Sequence, residues 1–196
     1  MRKLYHLTLR RLRGYKRSED GATAIEFAML AIPFFSLIFA ILELAIVFFI
    51  SSSLNHAVSE AGRQIRIGNF QNCGKAAFKK QVCDTMISIG SCQNNLRLDV
   101  IKNTTFGEIT LPPIPQPTIV PPGSAPPPVA NGDYDESAAG EPVVVRALFY
   151  HKLILPAQLT RLGSSPGSNT RIIRSTTAFR NEPFPTGSCS PTPPGS

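Results

Sequence analysis

The sequence predicts an α+β fold: a long N-terminal transmembrane and stalk helix, then a small α+β head with an antiparallel sheet. Three observations carry this expectation. An almost uninterrupted apolar stretch runs from Ala22 to Ile50. Leu54, Ala57, Val58, Ala61 and Ile65 then recur at helical spacing. Farther along, LRLDVIK (Leu96 to Lys102), VVVRALFY (Val143 to Tyr150) and RIIRSTTAFR (Arg171 to Arg180) read as strands.

The apolar stretch is the strongest signal. Ala22 to Ile50 is 29 residues, about 44 Å of helix. A hydrocarbon core of about 30 Å needs about 20 residues, so the stretch is long enough to span, with the crossing placed at about residues 28–50. A removed secretory signal has an apolar region of about 7–15 residues followed by a small-residue cleavage site. This run is longer, and no A-x-A follows Ile50. Pro33 lies inside it and predicts a kink or local unwinding. No Pro or Gly interrupts the pattern from there to Gly62. The helix is therefore expected to run to about Ile67 and end at Gly68-Asn69.

Charge sets the orientation and excludes one class of partner. The chain has 196 residues and a net charge of +7. Arg2, Lys3, Arg10, Arg11, Arg13, Lys16 and Arg17 all precede the apolar run, while only Arg63 and Arg66, with Glu60, follow closely. The positive-inside bias puts the N-terminus in the cytoplasm and the head outside. The basicity is thus a local cluster and not a basic domain, which disfavours a nucleic-acid partner.

In the head, Lys75 to Ile89 predicts a helix with Phe78, Val82, Met86 and Ile89 on one face and Gly90 as its end. Residues 111–142 hold many prolines, with Gly, Ser and Asp, and read as an extended or disordered loop, partly polyproline II. Asp133, Asp135 and Glu136 lie in it. A weak Ca²⁺ site is conceivable there, but a solvated loop tip is the simpler reading. Two acids interrupt the apolar helix. Glu43 is expected near the far interface, snorkelling or facing water. Glu26 stands in a more informative context.

That context is RSEDG-ATAIEF, Ser18 to Phe27. A charged leader ends in Gly21; small and apolar residues, Glu26, an aromatic and the long helix follow. The junction resembles the processing site of type IV-like prepilins, in the G-A-T-A-I-E-F form of the Flp/Tad branch. LNHAVSEAGRQIRIG resembles the A-x-x-E-A-x-R exit helix of TadE-like proteins. Cys83, Cys92 and the following L-x-L-D-V, and the late STTAFRNEPF (Ser175 to Phe184), are similar to features of the same family. The chain is identified on these motifs as resembling a TadE-like minor pilin, or pseudopilin, of the tight-adherence pilus system.

The resemblance implies that an inner-membrane prepilin peptidase cuts between Gly21 and Ala22. Ala22 becomes the new N-terminus and Glu26 the fifth mature residue, with Phe27 beside it. In packed helices Glu26 of one subunit can meet the Ala22 ammonium of a neighbour and set the register, since an unpaired buried charge costs several kcal/mol. The implied organisation is a basic leader (1–21), a membrane and stalk helix (22–67), a first head segment (68–110), the proline loop (111–142), a second head segment (143–184) and an irregular tail (185–196). The implied partners are the inner membrane, the prepilin peptidase, other Tad pilins and Tad inner-membrane assembly proteins, with the head periplasmic. The implied role is pilus assembly in adherence and biofilm formation.

Four cysteines allow three pairings, and a periplasmic head permits disulfides. Cys83–Cys92, closing a short loop from helix to strand, is the expected pair, with Cys73–Cys189 by elimination; reduced, buried cysteines are the alternative. Their spacing suits no zinc site, for there is no C-x-x-C and no nearby His. His6, His56 and His151 fall in no metal-ligand spacing, and no nucleophile motif or P-loop occurs. No enzyme activity, cofactor, metal or small-molecule substrate is therefore expected. The alternative is an unprocessed, signal-anchored periplasmic binding or envelope protein.

Overall fold

The computed structural model describes residues 20–117, 119, 127–185 and 189–190. The basic leader up to residue 19, part of the proline loop and most of the tail lie outside the described residues. Helix α1 spans Asp20–Arg66, α2 Gly74–Thr85, and the single turn α3 Cys92–Asn95. Strand β1 is Leu96–Lys102, β2 Pro142–Lys152 and β3 Thr170–Arg180; the turn α4, Ala157–Thr160, lies between β2 and β3. The strands form one antiparallel sheet in the order β1-β2-β3.

The chain divides into two compact units, Met1–Leu42 and Glu43–Ser196. The described part of the first is helix. Its large apolar side chains are exposed: Phe27, Met29, Leu30 and Ile32 are each at least 70% accessible. Such a surface is stable only against lipid or other apolar helices. Pro33 removes one backbone donor, yet the helix continues unbroken through it, so the expected local unwinding does not occur. Ser36 Oγ donates to the Pro33 carbonyl at 2.9 Å.

The second unit begins with the C-terminal part of α1, from Glu43. Leu54, Ala57, Val58, Ala61 and Ile65 form the stripe that the spacing predicts, and all are buried, together with Ile50 before them. They pack in one core with Phe78 and Val82 of α2, with Leu96, Leu98 and Val100 of β1, and with Val143, Val145, Ala147 and Phe149 of β2. Gly62 lets α1 approach β3: a Cβ there would lie 3.1 Å from Phe179 Cε1 and 3.2 Å from Thr177 Cγ2.

Helix α1 closes at a glycine in the left-handed region, Gly68 with φ +86°. Gly68 N–H donates to the Ile65 carbonyl and Asn69 N–H to that of Gln64, the paired bonds of a Schellman end. The NEPF segment after β3 completes the cap. Glu182 N–H donates to the Arg66 carbonyl at 2.9 Å, the Glu182 carboxylate pairs with the Arg66 guanidinium, and the Phe184 ring covers Gly68.

Two expectations need correction. Helix α2 stops at Thr85, not Ile89. Met86 turns extended (ψ 130°), and the freed Ile87 N–H donates to Ser53 Oγ of α1 at 2.7 Å. Met86 stays buried, whereas Ile89 is exposed. The proline segment is not a free loop around its acids. Val100 N–H donates to the Asp133 carbonyl and Asp135 N–H to the Val100 carbonyl, both at 2.8 Å, so Tyr134 lies parallel to β1 as an isolated bridge. The backbone of the acidic stretch covers a sheet edge that would otherwise be open, while the Asp133 and Glu136 side chains stay exposed as expected.

Candidate functional site

Gly21, Ala22, Glu26 and Phe27 all lie in the first two turns of α1 and are exposed. Ala22 and Glu26 are one turn apart on one face. Among the described residues Glu26 makes no ion pair or hydrogen bond, and it is exposed. A Cβ at Gly21 would meet nothing within 4 Å, and its φ is not in the left-handed region. The fold therefore does not need a glycine there, although glycine in a helix costs about 1 kcal/mol relative to alanine.

The four cysteines sit in the head, away from that sequence segment, and form two disulfides. Cys83–Cys92 joins α2 to the turn before β1; Cys73–Cys189 joins the start of α2 to the tail. Ser190 N–H also donates to the Asn69 carbonyl at 3.0 Å. No group of metal-ligating side chains occurs among the described residues.

Residues 21–63 match the family model of TadE-like protein. This segment is TadE-like. No curated protein and no solved structure matches the chain. The TadE-like segment holds the Gly21 junction, Glu26 and the helix out to Arg63, and it ends before the head's own strands. Its helix, Gly21 to Arg66, is long and apolar enough to cross a membrane, which fits a single-pass anchor.

Two buried polar sites in the head were not foreseen from the residues. Glu43 does not face water. It is buried, and its carboxylate accepts N–H from Ile154 (3.1 Å) and Leu155 (3.0 Å) just after β2. His151 Nε2 lies 3.8 Å from it, buried and without a hydrogen-bond partner. The two bonds satisfy a carboxylate that would otherwise be costly on this helix. The sequence signal was present, an acid in an apolar run, but its partners are backbone groups 111 and 112 residues away.

The second site is Asp99. It is fully buried and accepts from Arg146 Nη2 at 2.6 Å, from Arg97 Nε at 3.2 Å and from the Asp133 N–H. Arg146 and Arg97 are themselves nearly buried. Arg146 also donates to the Pro112 carbonyl, and Tyr150 Oη to that of Pro115. The proline segment thus lies over the sheet face opposite α1. That explains why β1 is buried on both faces for its first five residues, despite its alternating pattern.

Burial of His151 holds its pKa below the ordinary 6.5, with Glu43 opposing more weakly. The unfolded chain therefore binds the proton more readily than the folded one. This contribution to stability is complete above pH 6.5 and falls as pH drops below it toward the folded pKa. Head stability, measured by thermal melts, is expected to decline from pH 7 to pH 5.5, and His151→Phe is expected to flatten that slope. Glu43→Ala removes the charged acceptor of the Ile154 and Leu155 N–H groups and is expected to cost about 2–4 kcal/mol at pH 7.

Proposed function

We propose that the chain is a minor pilin, or pseudopilin-like, subunit of the Tad pilus machinery. A prepilin peptidase releases the leader after Gly21, and the mature chain starting at Ala22 remains in the inner membrane with its head periplasmic. It works by assembly and not by catalysis. The TadE-like match over residues 21–63 carries this reading, because it includes both the cleavage junction and Glu26.

Three further observations support it. Gly21 has no role in the fold, so its presence calls for a requirement outside the folded chain, which a peptidase supplies. Removing residues 1–21 takes away seven cations that hold the helix end at the cytoplasmic face. Glu26 is then left unpaired on an apolar cylinder, one turn from a new ammonium. Among helices packed side by side, Glu26 of one subunit neutralises Ala22 of the next. Each subunit in the wrong register would leave a charge in apolar surroundings. The partners are accordingly other Tad pilins and the Tad inner-membrane assembly proteins.

Gly21→Ala tests this. The substitution favours the helix if it has any effect on it, so it leaves the head's melting temperature unchanged. The variant is expected to keep its 21-residue leader in the native host and to lose pilus-dependent surface adherence. A variant processed to the wild-type mass, with normal adherence, would refute the assignment.

A further inference from the structure

We infer that the β2–β3 connection seats the head on the membrane, with Ile154 inserted at the acyl–headgroup boundary of the leaflet that faces the head. The inference rests on the spanning reading above and adds a lipid contact made by the head itself.

The argument begins with Glu43. Its bonds to the Ile154 and Leu155 N–H groups fix the tip of β2 beside that point on α1. From Ala22 to Leu42 there are 21 residues, about 31 Å of helix. That length equals a hydrocarbon core of about 30 Å. A mature chain with Ala22 at the inner face therefore reaches the opposite face at Glu43. The crossing then covers 22–42 and not 28–50, and the β2 tip lies at the lipid boundary.

The side chains there suit that position. Leu153 is buried, but Ile154 is 70% exposed, and Phe48 and Phe49 on the following helix turn are 66% and 55% exposed. Those two phenylalanines lie about 8–9 Å beyond Glu43 along the helix, within the depth of a headgroup layer. Charge selects lipid over a neutral protein groove. From Pro142 to Asn181 there is no Asp or Glu, while Lys152, Arg161 and Arg171 flank the connection. Glu43 at the tip is buried, with its carboxylate taken up by the Ile154 and Leu155 N–H groups; the exposed charges nearest in sequence to the tip are cations, which complements an anionic leaflet.

The chain has no Trp, so single tryptophans report cleanly. The test uses the full, disulfide-intact chain in nanodiscs of phosphatidylglycerol and phosphatidylethanolamine, with and without bromine near the carbonyl end of the acyl chains. Three variants are compared: Ile154→Trp; Leu37→Trp within the crossing; and Phe106→Trp, exposed near the opposite end of the sheet. Brominated lipid is expected to quench Ile154→Trp roughly two-fold or more, as for a side chain 5–10 Å into the boundary, and to leave Phe106→Trp unchanged.

Ile154→Trp as open to acrylamide as Phe106→Trp, with Leu37→Trp quenched by lipid, overturns the inference and leaves the spanning reading intact. A blue-shifted Ile154→Trp that bromine does not quench, and that depends on protein copies per disc, overturns it in favour of a protein contact. An unquenched Leu37→Trp overturns the spanning reading and this inference with it.

Discussion

Asp99→Ala is expected to destabilise the head by about 3–5 kcal/mol, the usual cost of breaking a buried ion pair from one side. The variant loses the acceptor for Arg146, for Arg97 and for the Asp133 N–H at once. For a unit of this size the loss lowers the melting temperature by roughly 6–20 °C. The damage extends beyond the ion pair. Gly132 lies against the Asp99 carboxylate and the Leu98 carbonyl with no room for a Cβ, so the proline segment is held at this point. Limited proteolysis between residues 111 and 135 should therefore accelerate in Asp99→Ala. In a double-mutant cycle, Arg146→Met is expected to cost less on the Asp99→Ala background than on wild type. Equal costs on both backgrounds would show that the two side chains act independently.

Removing Cys73–Cys189 is the second large effect. This disulfide links residues 116 apart in sequence, and Cys83–Cys92 links residues 9 apart. Loop-closure entropy assigns about 5 kcal/mol to the long loop and about 2.6 kcal/mol to the short one. Replacing both members of the Cys73–Cys189 pair by serine is thus expected to lower the denaturation midpoint more than the same change at Cys83 and Cys92. The long bridge also holds the tail beside the end of α1, where Ser190 bonds Asn69. Greater loss from the short bridge would mean that local packing of α3 outweighs chain entropy.

What the sequence made legible follows from the range of each interaction. The stalk stripe from Leu54 to Ile65, the Gly68 end and the antiparallel strands are written in local periodicity and turn chemistry, and each appears in the fold. The end of α2 was misread because Met86 and Ile89 fit the helical face; Ser53, more than thirty positions earlier, captures the Ile87 N–H instead. Glu43 was visible as an anomaly, but its backbone partners lie beyond any local pattern. Asp99 was hidden more completely. In LRLDVIK it looks like an ordinary outward residue of a half-exposed strand. Only the proline segment folding over that face turns it into the best-connected carboxylate of the head. The match to the family model was foreshadowed for the opposite reason: the motif from Gly21 to Phe27 is contiguous in the chain.

The central claim is that the mature chain begins at Ala22. Intact mass and N-terminal sequencing of the protein from membranes of its native host, before and after reduction, test it directly. The account requires an N-terminus at Ala22 and a gain of four hydrogens on reduction, one pair for each disulfide. A chain still starting at Met1, in a host with an active prepilin peptidase, would contradict the pilin assignment and leave a signal-anchored envelope protein in its place.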